Sequence, residues 1–158
     1  MEFEIRLATI ENLEEIQRLS KLQFENELHN GFDTTLNSEW SFSEDGENYY
    51  KKSIIEDDRC VFVAFVDNKV IGYLEGEINE SGSNRALSKL GELNYMFISE
   101  ECRGMGIGAN LHQAFVGWCK QKGVVRLRTE ASAKNSSAIN FYRKNGFVDY
   151  DLILEKDI

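Results

Sequence analysis

The sequence predicts a mixed α/β fold built on one sheet, antiparallel at first and partly parallel later. Three observations carry this. Short β-rich runs alternate with two stretches of helical periodicity at the start and two more towards the end, in the order βααβββαβαβ. A hairpin signal, Asp67-Asn68, joins two apolar runs near the middle. The later strands are separated by helices, as parallel connections require. With 158 residues the chain can bury one core, so residues 1–158 are expected to form one domain.

The elements follow in order. Phe3-Glu4-Ile5-Arg6-Leu7 alternates like a strand. Thr9 is placed to cap a helix carrying Leu13, Ile16, Leu19, Leu22 and Phe24 on one face. Residues 30–43 lack periodicity and read as a loop. Ser43 to Asp58 reads as a second helix. Cys60–Val66 and Lys69–Leu74 are the two strands of the hairpin, and Ser81-Gly82-Ser83-Asn84 marks the next turn. Leu93–Ile98 is a strand running into a glycine-rich stretch. Ile107, Leu111, Phe115 and Trp118 form an apolar helical stripe that ends at Gly123. Val124–Thr129 is a further strand. Ser136 to Lys144 is a short helix closed by Asn145-Gly146, and Phe147 to Leu154 reads as a last strand.

Composition narrows the function classes. Hydrophobic content of 42% with 28% charged residues reads as soluble and globular, and no apolar run approaches a membrane span. The acidic, alternating N-terminus does not read as a signal peptide. Cys60, Cys102 and Cys119 are odd in number and scattered, which fits a reducing cytoplasm better than a disulfide framework. Only two histidines occur, so no metal site is expected. A net charge of -9 argues against nucleic acid as a partner. The charge is divided: residues 102–148 hold eight Lys/Arg and one acid, whereas residues 1–101 hold nine Lys/Arg and 22 acids. A basic segment in an acidic chain suits an anionic ligand on one side and a cationic one on the other.

The glycine-rich stretch is Cys102-Arg103-Gly104-Met105-Gly106-Ile107-Gly108. Glycines there allow a sharp turn, and backbone N–H groups at a helix N-terminus can converge on a phosphate. A P-loop would need Lys-Ser or Lys-Thr after the glycines, and none follows. A dinucleotide fingerprint does match at Gly104, Gly106 and Ala109, with Glu130 about 20 residues on as a ribose-binding acid. Against it, at least four strand-like runs come first, leaving no room for the second half of a doubly wound sheet.

Arg103-Gly104-Met105-Gly106-Ile107-Gly108 also matches R/Q-x-x-G-x-G/A, which resembles the acetyl-CoA signature of the GNAT superfamily of N-acetyltransferases. Downstream, Asn135-Ser136-Ser137-Ala138-Ile139-Asn140-Phe141-Tyr142-Arg143-Lys144-Asn145-Gly146-Phe147 resembles that superfamily's N-x-x-A-x-x-F-Y-x-x-x-G-F. The two together, in order and properly spaced, cover the chain strongly from about Leu90 to Phe147. The resemblance implies a sheet of about six or seven strands flanked by about four helices, with two central strands splayed apart. It implies acetyl-CoA as co-substrate, no metal, and direct transfer of an acetyl group to a primary amine.

The same resemblance assigns residues. Backbone N–H groups across Arg103, Gly104, Met105, Gly106, Ile107 and Gly108 would hold the pyrophosphate, with the Arg103 side chain assisting. A backbone N–H at Phe97 or Ile98 would polarise the acetyl carbonyl. Asn135 would bond the pantetheine, and Tyr142 would protonate the leaving thiolate. Glu92, eleven residues before Arg103, matches a catalytic glutamate that some members carry. Glu75 and Glu77, two residues apart on the preceding strand, are the runners-up as base. Cys102 and His112 are read as incidental.

The acceptor pocket is expected in Leu28–Tyr50, where Phe32, Asp33, Trp40, Phe42, Glu44, Asp45, Tyr49 and Tyr50 combine aromatics with acids. With Glu75, they suit an organic ammonium through ion pairing and cation–π contact. A small-molecule amine is the first expectation. Protein N-termini or lysines, and a binding module that does not turn over, stay open. Dimers are common among similar proteins, and the sequence leaves a homodimer open.

Overall fold

A computed structural model describes residues 2–158. Five strands form one sheet in the order β1-β2-β3-β4-β5: Glu4–Leu7, Arg59–Val66, Lys69–Glu80, Lys89–Ile98 and Leu127–Thr129. The first four pair antiparallel and β5 joins β4 in parallel. Four α-helices cover it: α1 (Leu13–His29), α2 (Glu44–Ile55), α3 (Ile107–Gln121) and α4 (Ser136–Lys144). Among the described residues no helix is long and apolar enough to cross a membrane.

Strand β2 is apolar at nearly every position because both its faces are covered. Alternation then divides the core. Val61, Val63 and Phe65 face α1 and α2, with Ile16, Leu19, Tyr50 and Tyr73. Phe62, Ala64 and Val66 face the other way, with Leu74, Leu93, Ile107, Leu111, Phe115 and Cys119. Asp67 and Asn68 turn the β2–β3 hairpin with φ of 47° and 62°, the paired left-handed residues of a type I′ turn. Ser43 caps α2 by accepting from Gly46 N–H at 3.1 Å. Thr9 caps only a 3-10 turn, Ile10–Asn12, and α1 begins after it. The expected loop also holds a 3-10 turn, Ser38–Phe42.

The sheet has five strands, not the six or seven expected. Val124–Thr129 contributes only its last three residues, because β5 bonds β4 over Gly91–Leu93 alone. Phe147–Leu154 is not a strand. Arg143 holds Asp149 through two hydrogen bonds, at 3.0 and 2.6 Å, and Tyr150 lies on Arg128 and Arg85. Val148, Leu152 and Leu154 stay exposed. Alternation specifies a strand only where an edge receives its hydrogen bonds and a core receives one face; this segment is tied down outside both.

Helix α3 packs so closely on β3 that a Cβ at Gly76 would lie 2.6 Å from the Phe115 ring and 2.7 Å from the Glu92 carbonyl. Gly117, within α3, has no atom within 4 Å of that position. Gly76→Ala is expected to lower unfolding stability by roughly 1–3 kcal/mol through overpacking. Gly117→Ala is expected to raise it by about 0.4–1 kcal/mol. Denaturant titration of the two variants beside the parent protein reads both signs.

Candidate active site

The site is built where β4 and β5 part. Their register runs Gly91↔Leu127, Glu92↔Arg128, Leu93↔Thr129 and then stops. On its other edge β4 carries a bulge at the same place: Glu75 pairs with Tyr95 and Gly76 with Leu93, so Asn94 is the extra residue. A bulge bends its strand and increases the local twist, which turns the remainder of β4 away from β5. The upper edge of β4, from Asn94 to Ile98, is thereby left open.

Alternation decides which groups face the opening. Ser99 N–H donates to Ile71 C=O on the β3 side at 2.8 Å. Two residues earlier Phe97 N–H points the same way and is spent on Tyr73, its register partner. Ile98 N–H points into the opening. Of the two expected carbonyl-polarising groups, only that of Ile98 is on the right side. The Ile98 carbonyl accepts from Arg103 Nε at 3.0 Å, and the Arg103 guanidinium lies 5.3 Å from the Phe97 ring centre.

The glycine turn follows directly. Ser99 enters a 3-10 turn, Glu100–Cys102, and α3 starts at Ile107. Gly104 and Gly106 have φ of 78° and 81°, the left-handed region that a side chain disfavours. No atom lies within 4 Å of a Cβ built on Gly104. The N–H groups of Gly104, Met105, Gly106, Ile107 and Gly108 have no hydrogen-bond partner among the described residues. They are unpartnered donors at the positive end of α3, a combination that fits a phosphate. Gly108 has a different role: a Cβ there would meet Ile98 at 3.1 Å and Phe141 at 3.4 Å, so it brings α3 against β4 and α4. The dinucleotide alternative fails, since this turn follows the fourth strand of an antiparallel run.

Helix α4 closes the far side of the opening. Asn135 caps it by accepting from Ala138 N–H at 3.0 Å through Oδ1, and its Nδ2 has no partner among the described residues. Tyr142 packs between Phe141 and Phe147 with its hydroxyl towards Thr129 on β5. Burial raises its pKa, and the nearby Thr129 side chain opposes the rise. A strap ties the residues before α4 to those after α1: Ser132 Oγ donates to the Phe32 carbonyl at 2.7 Å.

Below the fork lies a cavity of about 410 Å³ lined by Tyr49, Glu77, Glu92, Leu93, Asn94, Tyr95, Arg128, Thr129 and Glu130. Glu92 accepts from Asn79 Nδ2 at 2.7 Å and faces Arg128 Nη1 at 3.5 Å. Glu77 is paired with Arg59 at 2.9 Å. Glu75 does not line the cavity. It is fully buried behind Tyr49, with which it bonds at 2.8 Å.

The expected acceptor segment divides. Tyr49 reaches the cavity. Trp40 stacks on Phe24 at 5.9 Å and edges onto Tyr49 and Tyr50, supporting the cavity wall from behind. Asp33 accepts from the Thr35 backbone and hydroxyl at 2.8 and 2.7 Å, which holds its carboxyl below the usual range. Phe32 contributes its carbonyl to the strap. Arg128 escaped the sequence reading, because only the β4–β5 register puts it on one wall with Asn94 and Tyr95. Glu27, on α1, is a further acid whose pKa is raised, mainly by burial; its helical spacing carried no signal.

Comparison with known proteins agrees with this geometry. The model of the acetyltransferase (GNAT) family matches residues 14–147. An N-alpha-acetyltransferase of Sulfurisphaera tokodaii is 32% identical over 116 residues, covering 68% of this chain and 70% of that protein. An N-acetyltransferase of Methanocaldococcus jannaschii is 27% identical over 105 residues, 66% of this chain; the match spans 46% of that relative's length. Among solved structures, the aminoglycoside acetyltransferase AAC(6')-Iy, in complex with a bisubstrate analogue of CoA and acetylneamine, superposes with a TM-score of 0.79. It does so at 18% identity over 100% of this chain and 99% of that one.

The aromatic wall makes a pH prediction. Burial raises the phenol pKa values of Tyr49, Tyr50 and Tyr73 far above the ordinary value. The folded state holds these protons while the unfolded chain loses them above a pH of about 10. Stability is therefore expected to be unaffected by these groups below that pH and to fall as pH rises past it. Tyrosinate absorbance followed with unfolding should show these phenols ionising only as the fold is lost.

Proposed function

The chain belongs to the acetyltransferase (GNAT) family, and on that footing we propose that it transfers an acetyl group from acetyl-CoA directly to the amine of a cationic small molecule. The observation that carries this reading is the fork: a set of unpartnered N–H donors at one end of its open strand and an acid-lined, aromatic-walled cavity at the other. In this reading the N–H groups from Gly104 to Gly108 hold the CoA pyrophosphate, with Arg103 beside them. The pantetheine arm runs along the open edge of β4, where Asn135 Nδ2 is available to it. Ile98 N–H stabilises the charge that develops on the acetyl oxygen. Tyr142, held near Thr129, donates a proton to the departing thiolate.

The acceptor enters from the cavity side. Glu77, Glu92 and Glu130 give that wall a negative potential, and Tyr49 and Tyr95 add aromatic surface to it. Glu92, one residue before the point where β4 leaves β5, is a cavity carboxylate held by Arg128 and Asn79. The likeness to an aminoglycoside acetyltransferase supports a polyamine-like acceptor. The N-alpha-acetyltransferase relative supports a second reading, in which the acceptor is a peptide N-terminus.

Release of CoA thiol across a panel of aminoglycosides, polyamines, amino-acid derivatives and short peptides tests the proposal. Activity is expected with a multiply charged small amine. Activity confined to peptides moves the assignment to the second reading, and thiol release with none of them sinks both. Gly106→Glu is expected to abolish acetyl-CoA binding by calorimetry, since it puts a carboxylate in the anion cradle. Tyr142→Phe is expected to lower kcat by roughly 10²-fold with little change in acetyl-CoA affinity.

A further inference from the structure

Behind the cavity wall sits a carboxylate that solvent does not reach. Glu75, on β3, has no exposed surface. Its Oε2 accepts from Tyr49 Oη at 2.8 Å, its Oε1 accepts from Ser53 Oγ at 2.9 Å, and Arg59 Nη2 stands 3.6 Å from Oε1. Of these four residues only Tyr49 also lines the cavity. The consequence lies in the phenol's single proton. Because that proton is given to Glu75, the phenol oxygen offers lone pairs and no donor to the lining residues beside it. Asn94 Nδ2 already approaches one of them at 3.4 Å. An amine N–H entering the cavity meets the other.

We propose that Tyr49 and Glu75 form a proton relay that neutralises the acceptor amine, an inference that rests on the acetyl-transfer reading above. The ammonium N–H bond breaks as a new O–H bond forms on Tyr49 Oη. The original Tyr49 O–H bond breaks as its proton passes to Glu75 Oε2. Tyr49 is unchanged, Glu75 becomes a neutral acid, and the nitrogen keeps the electron pair that attacks the thioester. After the product leaves, the proton returns to the cavity water by the same two bonds reversed. No oxidant, reductant or metal takes part.

The surroundings suit that task. An alkyl ammonium holds its proton too tightly for an ordinary carboxylate to be a good sink. Burial raises the proton affinity of Glu75; Tyr49, Ser53, Arg59 and Asn94 oppose it. The groups facing it are Tyr49, Tyr50 and Ser53 from α2, Arg59 from β2, and Asn94 and Tyr95 from β4. Arg59 divides its charge between Glu75 and Glu77. Burial also raises the phenol of Tyr49, so the two transfers are coupled and do not pass through a free tyrosinate. Glu92 differs: it is the partner of Arg128 on the wetter wall.

The test is the pH profile of kcat/KM with the best amine of the panel, for the parent, Glu75→Gln, Tyr49→Phe and the double variant. Gln keeps an oxygen for the Tyr49 hydroxyl and cannot take its proton. Each single variant is expected to lose roughly 10²-fold in kcat/KM near neutral pH. Acetyl-CoA affinity and thermal unfolding should stay near those of the parent. In the variants the rate should climb with pH towards the acceptor's own pKa, because only amine already neutral in solution reacts. The double variant should be no slower than either single one, since the two residues act as a unit. Ser53→Ala, which removes a donor to Glu75 outside the cavity, should move the acid limb of the profile upwards. Parental rates and profile in Glu75→Gln, or additive losses in the double variant, overturn the relay while acetyl transfer stands. Should Glu75→Gln fail to fold, Tyr49→Phe decides alone, since Glu75 keeps Ser53 and Arg59; a parental profile there overturns the relay. A parent protein that acetylates no amine overturns the acetyl-transfer reading and the relay with it.

Discussion

The parting of β4 from β5 after Leu93 and Thr129 is the constraint on which the rest of the molecule depends. Hydrogen bonding between neighbouring strands normally leaves no room for a ligand between them. Here the extra residue Asn94 bends β4 at the step where the parallel register ends. One strand edge is exposed as a result, with its N–H groups available. On the side away from the fork β4 stays bonded to β3 as far as Ile98, so the opening is rigid on that flank. The glycine turn, α3 and the start of α4 then fall in place around it. Close approaches at Gly76, Gly91 and Gly108 let the helices sit near enough to line it.

Charge follows the same division. Of the basic stretch, Arg103 stands at the donor end beside the α3 N-terminus, while Arg128 joins the cavity wall. The acidic strands β3 and β4 supply the cavity wall. Two arginines keep that wall from repelling itself: Arg59 between Glu75 and Glu77, and Arg128 against Glu92. A buried carboxylate without donors would be strongly destabilising. Glu75 is instead supplied by Tyr49, Ser53 and Arg59. A second buried polar chain, Gln23–Tyr73–Tyr50–Ser20–Ser41, lies alongside and ties α1 and α2 to the sheet. Satisfied networks of this kind hold side-chain oxygens in one orientation, which a proton path requires.

Much of the fold was legible along the chain. The hairpin at Asp67-Asn68, the helix starting at Ser43, the apolar stripe of α3 and the glycine turn are local features, and local sterics and hydrogen bonding specify each. The misread portions were those needing a distant partner. Phe147–Leu154 alternates well enough for a strand, yet its arginine and tyrosine anchors hold it off the sheet. Trp40 and Asp33 have the chemistry of a cation site and are used for packing and a local turn. Glu75 and Glu77 share a face as spacing required, but depth separates them: one is sealed behind Tyr49 and the other borders the cavity.

By itself, the sequence determined the glycine turn, the helix and hairpin signals, and the opposed charge of the two halves. These depend on neighbours within a few residues, where backbone geometry alone sets the outcome. Tertiary structure alone decided that Asn94 is a bulge, that Ile98 N–H rather than Phe97 N–H faces the opening, and that Tyr49 delivers its proton to Glu75. Each of these rests on strand register or helix docking between residues 17 or more positions apart in the chain, from Gly76↔Leu93 in the bulge to the 26 positions between Tyr49 and Glu75. Register shifts of one residue reverse which side a group faces, and no local pattern in the chain carries that information.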